Sequence, residues 1–577
     1  MSTEAQNARQ AGALLSALVA GGVAELVLSP GSRSTPLVLA ADSLSALRVH
    51  DVLDERVAGF FALGLARASG RPVALLCTSG SAGAHYLPAV IEASQSRVPL
   101  VILTADRPVE LQGCGAPQTV DQRGFFEGFL RMDASLGESS PNERWIGGLA
   151  ARALDAATGA VPGPVRINAP FREPLWSPGV ESAGAFPEAP RVVRGPPGLD
   201  EATLDALAER IRGVQRGIFV VGPREMAWEG ARWGKAGARL APALFALAER
   251  LGWPVLADAA SGLRFGPPHP LRIGGFDALL RGERRSLVPD GVMRFGQLPT
   301  SKPLFGWLAR VAVGRTVLVD PTAAWHDPDH TASLLLAAEP TALCEALLQR
   351  LGEARPDPSW AQRWTRAEAI TQRTLSAASE ASFWAGGVAR ALSESLPEGA
   401  LLHVASSMPV RDFDTFAASN RAFSVSVNRG ANGIDGTLAT ALGAARSRSP
   451  VVALCGDLAF QHDLGALAMA RELSAPVVCL VVDNGGGGIF GFLPIAQHKA
   501  AFEKHFLTPQ GLDILACARA FGLHAERCEG LSALRGALSA ALARPGFTLL
   551  HLPIDRVEDL QRHRDTWAKL DEALGDV

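Results

Sequence analysis

Two polar residues follow two strongly apolar runs in the C-terminal third of the chain. Asp457 comes directly after PVVALCG, and Asn484 comes directly after PVVCLVVD. If these runs are neighbouring parallel strands, the carboxylate and the amide meet beyond the strand ends, where doubly wound sheets bind ligands. Such oxygens suit Mg²⁺ shared with a ligand's phosphates, and the glycines at 485–488 permit close backbone approach. A helix cap at Asp457 and a plain Asn-Gly turn would give the same residues.

The same stretch contains G-x-G-x-x-G at Gly486, Gly488 and Gly491, directly after a strand. A dinucleotide fingerprint needs a helix that opens at the third glycine and an acid that ends the next strand about 20 residues on. The segment that follows, FLPIAQHKAAFEKHF, contains no such strand. Binding of a nicotinamide dinucleotide is therefore disfavoured, and neither a Walker A motif near these strands nor a zinc spacing is found.

The bulk composition limits the class of protein. A chain of 577 residues is too long for one hydrophobic core, so several domains are expected. The formal net charge of −3 favours neither a nucleic-acid partner nor a membrane surface. Seven cysteines without a C-x-x-C pair indicate a reducing cytoplasm. The apolar N-terminal stretch lacks a basic region, and no charge-free apolar run of about 18 residues occurs, so we expect neither a signal peptide nor a membrane span.

Apolar, β-rich runs alternate with helix-length segments, which is typical of parallel sheets covered by helices on both faces. We predict strands at 24–29, 72–78, 98–105, 217–223, 253–258, 316–321, 450–456 and 476–482.

The strand pattern repeats within the chain. RPVALLC at 71–77 resembles SPVVALC at 449–455, and each is followed by a helix-length stretch and another apolar strand. This repeat predicts two related doubly wound units in the outer parts of the chain, with a third α/β unit between them. Segments rich in Pro and Gly at 186–198 and 352–359 are the predicted linkers.

The repeat, GDL at 456–458 and Asn484 together resemble the thiamine diphosphate (ThDP) enzymes, whose diphosphate signature begins GDG and ends with Asn. Leu458 replaces the last glycine of that generic signature. Further stretches resemble one branch, the SEPHCHC synthase family of menaquinone biosynthesis, commonly called MenD, in which GDL is the usual form. These stretches are LSPGSRSTPL (28–37), DERVAGFFALGLARASGRPVALLCTSGSAGAHYLPAVIEA (54–93), NRGANGIDGT (428–437), FEKHFLTPQGLD (502–513) and, thinly in the middle of the chain, PTSKPL (299–304).

The resemblance implies a fold of three doubly wound parallel-sheet domains. These are a pyrimidine-binding (Pyr) domain at 1–180, a middle α/β domain at 190–355 and a diphosphate-binding (PP) domain at 370–577. In the PP domain it implies that Asp457, Asn484 and the backbone carbonyl of Gly486 hold Mg²⁺ or Mn²⁺ against the ThDP diphosphate.

The resemblance also implies a catalytic role for Glu55, which would bond N1′ of the cofactor's pyrimidine and favour its imino tautomer. Taken alone, Glu55 is also explained as a helix-N-terminal acid stabilised by the macrodipole. Ile489 and Phe490 would form an apolar wedge under the cofactor, although core packing explains them nearly as well.

In this family 2-oxoglutarate loses CO₂ and the resulting four-carbon carbanion adds to the ring of isochorismate. Both substrates are dicarboxylic, and the planar fork of arginine pairs a carboxylate through two hydrogen bonds. By family correspondence the substrate pocket is lined by Ser32, Arg33, Arg107, Gln118, Lys302, Ser407, Arg411 and Arg429. Taken singly, each of these arginines would be a solvated surface charge.

One residue departs from the family pattern, because Pro117 stands where some members have Asn, so a contact of that Asn is absent or replaced. His85, His403 and His462 lie near the same strand ends but are not required by the resemblance, and packing or exposure explains them better.

The superfamily assembles each site between two subunits, so the resemblance implies a homodimer or a homotetramer. Two alternatives stay open on the sequence. One is another ThDP-dependent 2-oxoacid decarboxylase or carboligase, such as an acetolactate-synthase-like enzyme with or without flavin in its middle domain. The other is a non-catalytic ThDP- or acid-binding protein, which would have no need of Glu55.

Overall fold

The computed structural model describes residues 1–137, 142–180, 186, 190, 192–225, 240–352 and 357–575. Parts of both predicted linkers, 187–189, 191 and 353–356, lie outside the described residues. The chain forms two compact units. Unit 1 comprises Met1–Gly195, Asn428–Arg448 and Gly465–Met469, and unit 2 comprises Pro196–Val427, Ser449–Leu464 and Ala470–Val577.

Unit 1 is built on one sheet of six parallel strands in the order β2-β1-β3-β4-β6-β5. These strands are β1 Glu25–Leu28, β2 Arg48–Asp51, β3 Val73–Cys77, β4 Leu100–Asp106, β5 Met132–Ser135 and β6 Val165–Pro170. Its α-helices are Thr3–Ala20, Thr35–Asp42, Glu55–Ser69, Leu87–Ser96, Glu143–Thr158 and Thr437–Ala444, and 3₁₀ turns lie at Ser32–Ser34, Gly80–Tyr86 and Val109–Leu111.

Unit 2 contains two further six-stranded parallel sheets. The middle sheet has the order β12-β11-β10-β7-β8-β9, and the C-terminal sheet has the order β14-β13-β15-β16-β18-β17. The middle strands are β7 Gly217–Val221, β8 Val255–Ala257, β9 Arg272–Ile273, β10 Gly291–Phe295, β11 Thr316–Val319 and β12 Ala332–Leu336. The C-terminal strands are β13 Leu401–Val404, β14 Ser424–Val427, β15 Val451–Gly456, β16 Val477–Asp483, β17 His524–Arg527 and β18 Phe547–Pro553.

The α-helices of unit 2 cover these two sheets. They are Glu201–Arg212, Leu240–Leu251, Phe276–Leu279, Lys302–Val311, Pro340–Leu351, Pro358–Glu380, Ala385–Ser395, Met408–Phe416, Asp457–His462, Lys499–Ala501, Ile514–Ala520, Leu531–Ala543 and Arg556–Leu574. Short 3₁₀ turns lie at Ala259–Ser261, Arg285–Leu287, Gly488–Phe492 and Pro494–Gln497, and a π-helix lies at Phe502–Leu507. The 3₁₀ turn Leu464–Ala466 and the helix Leu467–Ala470 cross between the two units along the chain.

The predicted strands are confirmed, because each predicted run coincides with one strand of the three sheets to within two residues at either end. The predicted repeat is confirmed as well. The first and the C-terminal sheets share one strand order, whereas the middle sheet has a different one. The domain limits stay predictions, and the segment Asn428–Arg448 belongs to unit 1 although it lies within 370–577.

Two helices of unit 1 pack with their backbones in close contact. A Cβ atom at Gly64 in Glu55–Ser69 would lie 1.9 Å from the carbonyl oxygen of Thr440 in Thr437–Ala444. A Cβ at Gly443 would likewise lie 2.0 Å from the carbonyl oxygen of Phe61. Only glycine fits at these two positions, because any side chain would clash with the backbone of the other helix. The two glycines therefore permit the close approach of this helix pair.

A tryptophan cluster joins the middle sheet of unit 2 to the long helix Pro358–Glu380. Trp364 makes edge contacts with Trp307 and Trp360, with ring centroids 5.9 and 6.0 Å apart. The indole nitrogen of Trp360 donates a hydrogen bond to the carbonyl oxygen of Gly217 in β7 at 2.8 Å. In the part of the chain that the structure describes, no helix has the length and apolar character needed to cross a bilayer.

Candidate active site

Asp457 and Asn484 follow neighbouring strands, as the sequence predicts. Gly456 at the end of β15 pairs with Val482 of β16, so the two polar residues emerge at the same edge of the sheet. Burial, and then the negative charge of Asp483, raise the pKa of Asp457 to about 7, while backbone amides, including those of Leu458 and Gly486, oppose the rise. This carboxylate therefore lies where a positive charge would stabilise its ionised form.

The amide of Asn484 has an unmet hydrogen-bonding atom. Its Oδ1 is buried and accepts no hydrogen bond within the described part of the chain. A buried polar atom without a partner is costly, and a bound cation would satisfy it. Asn484 therefore fits the predicted role of a metal ligand.

The glycines after Asn484 form a tight turn. Gly485 and Gly486 have φ values of +74° and +136°, and a Cβ at Gly486 would lie 2.1 Å from the carbonyl oxygen of Leu507. The Gly486 carbonyl accepts a hydrogen bond from the Gly488 amide at 2.9 Å, which leaves its second lone pair for a metal. Among the described residues no cluster of three or more Asp, Glu, His or Cys could hold a metal ion. One carboxylate, one amide and one carbonyl suit Mg²⁺, which keeps its other positions for phosphate and water.

Sequence analysis did not single out Asp483 and His551, which support this turn. One Asp483 oxygen accepts a hydrogen bond from the Gly485 amide at 3.1 Å, and the other lies 2.8 Å from Nε2 of His551. The hydrogen bond with His551 is the main cause that lowers the pKa of Asp483, against the effect of burial. The one sequence signal for this support was the position of Asp483 directly before Asn484, and no signal in the sequence indicated His551.

Glu55 is the first residue of the helix Glu55–Ser69, whose cap is Asp54 through a 2.9 Å hydrogen bond from the Arg56 amide. Its carboxylate is half-buried and has no hydrogen-bond or ion-pair partner within the described part of the chain. Burial raises the pKa of Tyr86, and the negative charge of Glu55 adds to that rise. Glu55 thus lies near a buried phenol with its carboxylate free to accept a proton donor, as the cofactor's pyrimidine would require.

Ile489 and Phe490 lie in the 3₁₀ turn Gly488–Phe492, and both side chains are half-exposed. The ring of Phe490 packs edge-on against Phe506, with centroids 5.4 Å apart. Their proposed contact with the cofactor stays a prediction.

Arg107 and Gln118 come together in unit 1. The Arg107 guanidinium donates to the Gln118 carbonyl at 2.8 Å and to the Ser79 hydroxyl, and the Gln118 amide donates to the Ser79 carbonyl at 3.2 Å. Gln118 is exposed and has a φ of +52°, and Pro117 before it is exposed. Burial and then the positive charge of Arg33 lower the pKa of Arg107, so three predicted residues share one region.

Arg33 is already bound within the chain. Its side chain is only 5% exposed, and it donates to the Phe171 carbonyl at 2.9 Å and to the Glu173 carboxylate at 2.7 Å. Ser32 beside it is exposed in the turn Ser32–Ser34. The described contacts use one N–H of each terminal nitrogen, and the Nε of Arg33 has no partner in the described structure, so a substrate carboxylate at Arg33 would share the guanidinium with Glu173.

Arg429 lies in a loop that a buried network holds. The Glu92 carboxylate accepts hydrogen bonds from the amides of Gly430 at 2.9 Å and Ala431 at 2.7 Å, and it pairs with Arg67 at 3.0 Å. Arg67 in turn donates to Oδ1 of Asn428 at 2.5 Å. Arg429 is half-buried, and its Nε has no partner in the described structure.

Ser407 and Arg411 begin a helix of unit 2, Met408–Phe416. Ser407 has φ +80° and ψ −142°, a conformation that is strained for a residue other than glycine, and such strain is enriched at functional sites. Arg411 donates to the Ser407 carbonyl. Lys302 is exposed at the start of Lys302–Val311, which Ser301 caps through a 3.2 Å hydrogen bond from the Leu304 amide.

The histidines near the strand ends are structural or exposed. His403 is buried in β13, where its Nδ1 lies 2.7 Å from the hydroxyl of Ser426 on the neighbouring β14. His85 and His462 are exposed. These surroundings are in line with the expectation that the three histidines are packed or exposed residues and do not act as acids or bases.

Family models of thiamine pyrophosphate enzymes match most of the chain. The N-terminal TPP binding domain matches residues 9–125, the middle domain of thiamine pyrophosphate matches 233–404, and the C-terminal TPP binding domain matches 408–552. These matches agree with the three-sheet architecture and with the ThDP cofactor.

Two curated relatives are named 2-succinyl-5-enolpyruvyl-6-hydroxy-3-cyclohexene-1-carboxylate synthase. The protein of Myxococcus xanthus is 42% identical, over 100% of this chain and 99% of its own length. The protein of Geobacillus kaustophilus is 41% identical, over 96% of each chain.

Two solved structures share the fold. A putative thiamin diphosphate-dependent enzyme from Mycobacterium smegmatis aligns with a TM-score of 0.69 and 20% identity, over 94% of this chain and 99% of its own. Benzoylformate decarboxylase from Polynucleobacter necessarius also aligns with a TM-score of 0.69, at 18% identity, over 95% of this chain and 99% of its own. At such identities the likeness concerns the fold.

Proposed function

Because the chain belongs to the 2-succinyl-5-enolpyruvyl-6-hydroxy-3-cyclohexene-1-carboxylate (SEPHCHC) synthase family of ThDP enzymes, we propose that it catalyses the reaction for which that family is named. 2-Oxoglutarate loses CO₂, and its former carbonyl carbon forms a carbon–carbon bond with the ring of isochorismate. The product is SEPHCHC, an intermediate of menaquinone biosynthesis. The observation that carries this proposal is the 42% identity to a SEPHCHC synthase along the whole chain.

Bound ThDP would supply the electron sink that makes the decarboxylation possible. Asp457, Asn484 and the Gly486 carbonyl would hold Mg²⁺ or Mn²⁺ together with the diphosphate. The unsatisfied Oδ1 of Asn484 and the raised pKa of Asp457 support this assignment. Glu55 would hold the proton at N1′ of the pyrimidine, which its unpaired carboxylate supports. Ile489 and Phe490 would orient the cofactor by apolar contact.

The substrates carry two carboxylates each, and the chain offers cations and hydrogen-bond donors to bind them. The residues proposed for this role are Ser32, Arg33, Arg107, Gln118, Lys302, Ser407, Arg411 and Arg429. The shared region of Arg33, Arg107 and Gln118 supports carboxylate binding, because two guanidinium groups there raise the local positive potential. The strained backbone of Ser407 supports a functional role for its segment.

The assembly that we propose is a homodimer or a homotetramer, since the superfamily builds its sites from two subunits. We place the enzyme in the cytoplasm, without nucleic-acid or membrane partners. Seven free cysteines and a formal net charge of −3 support that placement.

The acetolactate-synthase-like alternative would place flavin in the middle domain. In doubly wound sheets a nucleotide binds where the strand order reverses, which here is between β7 and β10. At that point the Gly222 amide donates to the Phe295 carbonyl at 2.9 Å, and the Gln297 amide donates to the Pro223 carbonyl at 3.0 Å. A Cβ at Gly222 would lie 1.8 Å from the Gln297 oxygen. The two loops are thus in direct contact at that point. The 41% and 42% identity to proteins named as SEPHCHC synthases disfavours that alternative.

The test is release of CO₂ from 2-oxoglutarate by the purified protein with ThDP and Mg²⁺, with and without isochorismate, and with pyruvate as the control donor. We expect turnover that depends on all four components, and a product with the mass of SEPHCHC. Preferential turnover of pyruvate would favour the general carboligase. Binding of ThDP without turnover in any mixture would favour the non-catalytic binding protein.

A further inference from the structure

Asp277 connects two elements of unit 2 that carry proposed substrate-binding cations. It lies on the short helix Phe276–Leu279, and it is 4% exposed. One carboxylate oxygen accepts a hydrogen bond from the Ser301 hydroxyl at 2.6 Å. The other accepts from the Thr415 hydroxyl at 2.7 Å. One buried carboxylate thus bridges a residue of the middle-domain match and a residue of the C-terminal-domain match.

Each of these two hydroxyls is adjacent to a cation in the fold. Ser301 precedes Lys302, and it caps the helix Lys302–Val311 with the same oxygen that donates to Asp277. Thr415 lies four residues after Arg411 in the helix Met408–Phe416, so both residues lie on one helix face. The position of Asp277 therefore fixes the start of one helix against a face of the other.

Further buried hydrogen bonds hold the same two elements. The Asp414 carboxylate accepts from the Ala259 amide at 3.0 Å. The Asp258 carboxylate accepts from the Thr300 amide at 2.6 Å and from the Ala260 amide at 2.8 Å. Both elements are thus attached to residues 258–260. The second oxygen of Asp414 is buried without a hydrogen-bond partner in the described structure, so these contacts supplement the bridge at Asp277, whose two oxygens are both bonded.

The charge state of Asp277 suits this role. Burial raises the pKa of its carboxyl group, but the guanidinium of Arg281 and the hydroxyls of Ser301 and Thr415 outweigh that effect and hold the pKa below its usual value. Arg281 donates to Asp277 at 2.8 Å. The carboxylate is therefore ionised at neutral pH and accepts from both hydroxyls.

We propose that Asp277 is a positioning residue that holds the Lys302 segment against the Arg411 helix and so sets the spacing of these two cations for a dicarboxylic substrate. The substrate part of this inference rests on the proposed function. Two cations that bind two carboxylates of one molecule must keep a fixed separation, and a displacement of about 1 Å at such a site can reduce the rate by about 10²-fold.

The main variant is Asp277→Asn, which keeps the shape of the side chain but cannot accept equally from both hydroxyls. The matched control is Asp320→Asn. Asp320 is another buried acid of the middle sheet region, which accepts from the Thr322 amide at 2.8 Å and from its hydroxyl at 2.6 Å. Both of these donors lie in the loop of Asp320 itself, outside the two segments that carry the proposed cations.

The first measurement is hydrogen exchange of the full-length, ligand-free proteins, which needs no activity. We expect faster exchange at 300–311 and 408–416 in Asp277→Asn, and unchanged exchange there in Asp320→Asn. Unchanged exchange of both segments in folded Asp277→Asn would overturn the proposal. This result is independent of the proposed reaction, whose failure would show in the wild-type turnover.

The second measurement determines KM and kcat separately for the wild type and for Asp277→Asn, once turnover by the wild type has been shown. For Asp277→Asn we expect KM for 2-oxoglutarate or isochorismate to rise about tenfold while kcat falls less than about threefold, because the reacting groups are untouched. If wild type and Asp277→Asn had equal KM values for both substrates, the proposed role of Asp277 in substrate binding would be wrong. If Asp277→Asn does not fold, Ser301→Ala and Thr415→Val each remove one arm of the bridge. Each should raise KM and speed exchange in its own segment, and no change in either variant would overturn the proposal.

Discussion

The Glu92 carboxylate accepts a hydrogen bond from the Gly430 amide at 2.9 Å, although 338 positions separate the two residues in the chain. Gly430 follows Arg429 directly, so this contact holds the backbone of a proposed substrate-binding residue. Glu92 also pairs with Arg67, and both side chains are nearly fully buried, at 3% and 4% exposure. The buried pair therefore supports both the fold of unit 1 and the placement of the Arg429 loop.

The first prediction concerns that buried pair. Glu92→Gln should destabilise unit 1 by about 3 kcal/mol, because it leaves the Arg67 charge buried without a carboxylate. Urea unfolding measures the change. The control is Glu110→Gln, which removes an exposed pair with Arg172 and should cost much less stability, because solvent screens that pair. Equal losses in the two variants would contradict the importance of the buried network.

The second prediction concerns Glu55. Glu55→Gln should retain ThDP binding within a few-fold but lose about 10²-fold or more in turnover, because the amide cannot hold the pyrimidine proton as a carboxylate does. Calorimetry measures binding and CO₂ release measures turnover. Glu201→Gln changes another first-turn acid, at the start of Glu201–Arg212, and should leave turnover unchanged. Full activity of Glu55→Gln would remove this residue from the mechanism.

The third prediction concerns the metal ligands. Chelation should abolish activity, and Mg²⁺ or Mn²⁺ should restore it. Asp457→Asn should weaken metal-dependent binding of ThDP by at least about tenfold, because the proposed metal site would lose its one carboxylate. The shift in melting temperature on addition of ThDP and Mg²⁺ reports this binding without turnover. Asp513→Asn, at the cap of Ile514–Ala520, is the control and should keep the wild-type shift. The same shift in both variants would exclude Asp457 as a ligand.

The fourth prediction concerns pH and His563. Burial lowers the pKa of His563, but the carboxylates of Asp412 and Asp559 outweigh burial and raise it above its ordinary value. The pKa of the neighbouring Asp559 is raised to about 6, and burial is the largest cause. Both groups bind protons more tightly when folded, so their contribution is present at low pH and is lost as the pH rises through the folded pKa values. His563→Gln should therefore cost more stability at pH 6 than at pH 9 in urea unfolding.

The control for that experiment has the opposite sign. Burial lowers the pKa of His269 despite its 3.1 Å contact with Glu249, so its stabilising contribution is present at high pH and is lost as the pH falls. His269→Gln should cost no more stability at pH 6 than at pH 9. A pH-independent loss in His563→Gln would contradict the assignment of the titrating group.

The fifth prediction uses two glycines in helices of unit 1. Gly64→Ala should destabilise the unit by about 1–3 kcal/mol, because its Cβ would lie 1.9 Å from the Thr440 carbonyl oxygen. Gly148→Ala, in Glu143–Thr158, meets no atom within 4 Å and should stabilise by up to about 1 kcal/mol through helix propensity. Thermal unfolding distinguishes these outcomes. If Gly64→Ala increased the free energy of unfolding, the helices Glu55–Ser69 and Thr437–Ala444 would not need their close contact for stability.

Sequence reasoning succeeded where one local pattern determines the structure. The β3 and β4 strands are buried throughout, so they read as continuous apolar runs and were predicted. The strands that it did not name include the edge strands β2 and β17, whose sequences RVHD and HAER carry exposed polar residues, and β9, which has only two residues. They also include the buried strands β10, β13 and β18, whose short apolar runs could equally belong to a buried helix. The meeting of Asp457 with the loop of Asn484 followed from strand adjacency alone.

The sequence by itself thus determined the parallel sheets, the repeat, the family and the edge of the sheet at which Asp457 and Asn484, the proposed metal ligands, emerge. Only the tertiary structure decided the contacts between distant segments, such as Glu92 with Gly430, Arg33 with Glu173 and Asp277 with Thr415. The physical reason is that each of these contacts depends on a carboxylate placed by one element and a donor placed by another. No periodicity or motif within either segment records such a pairing.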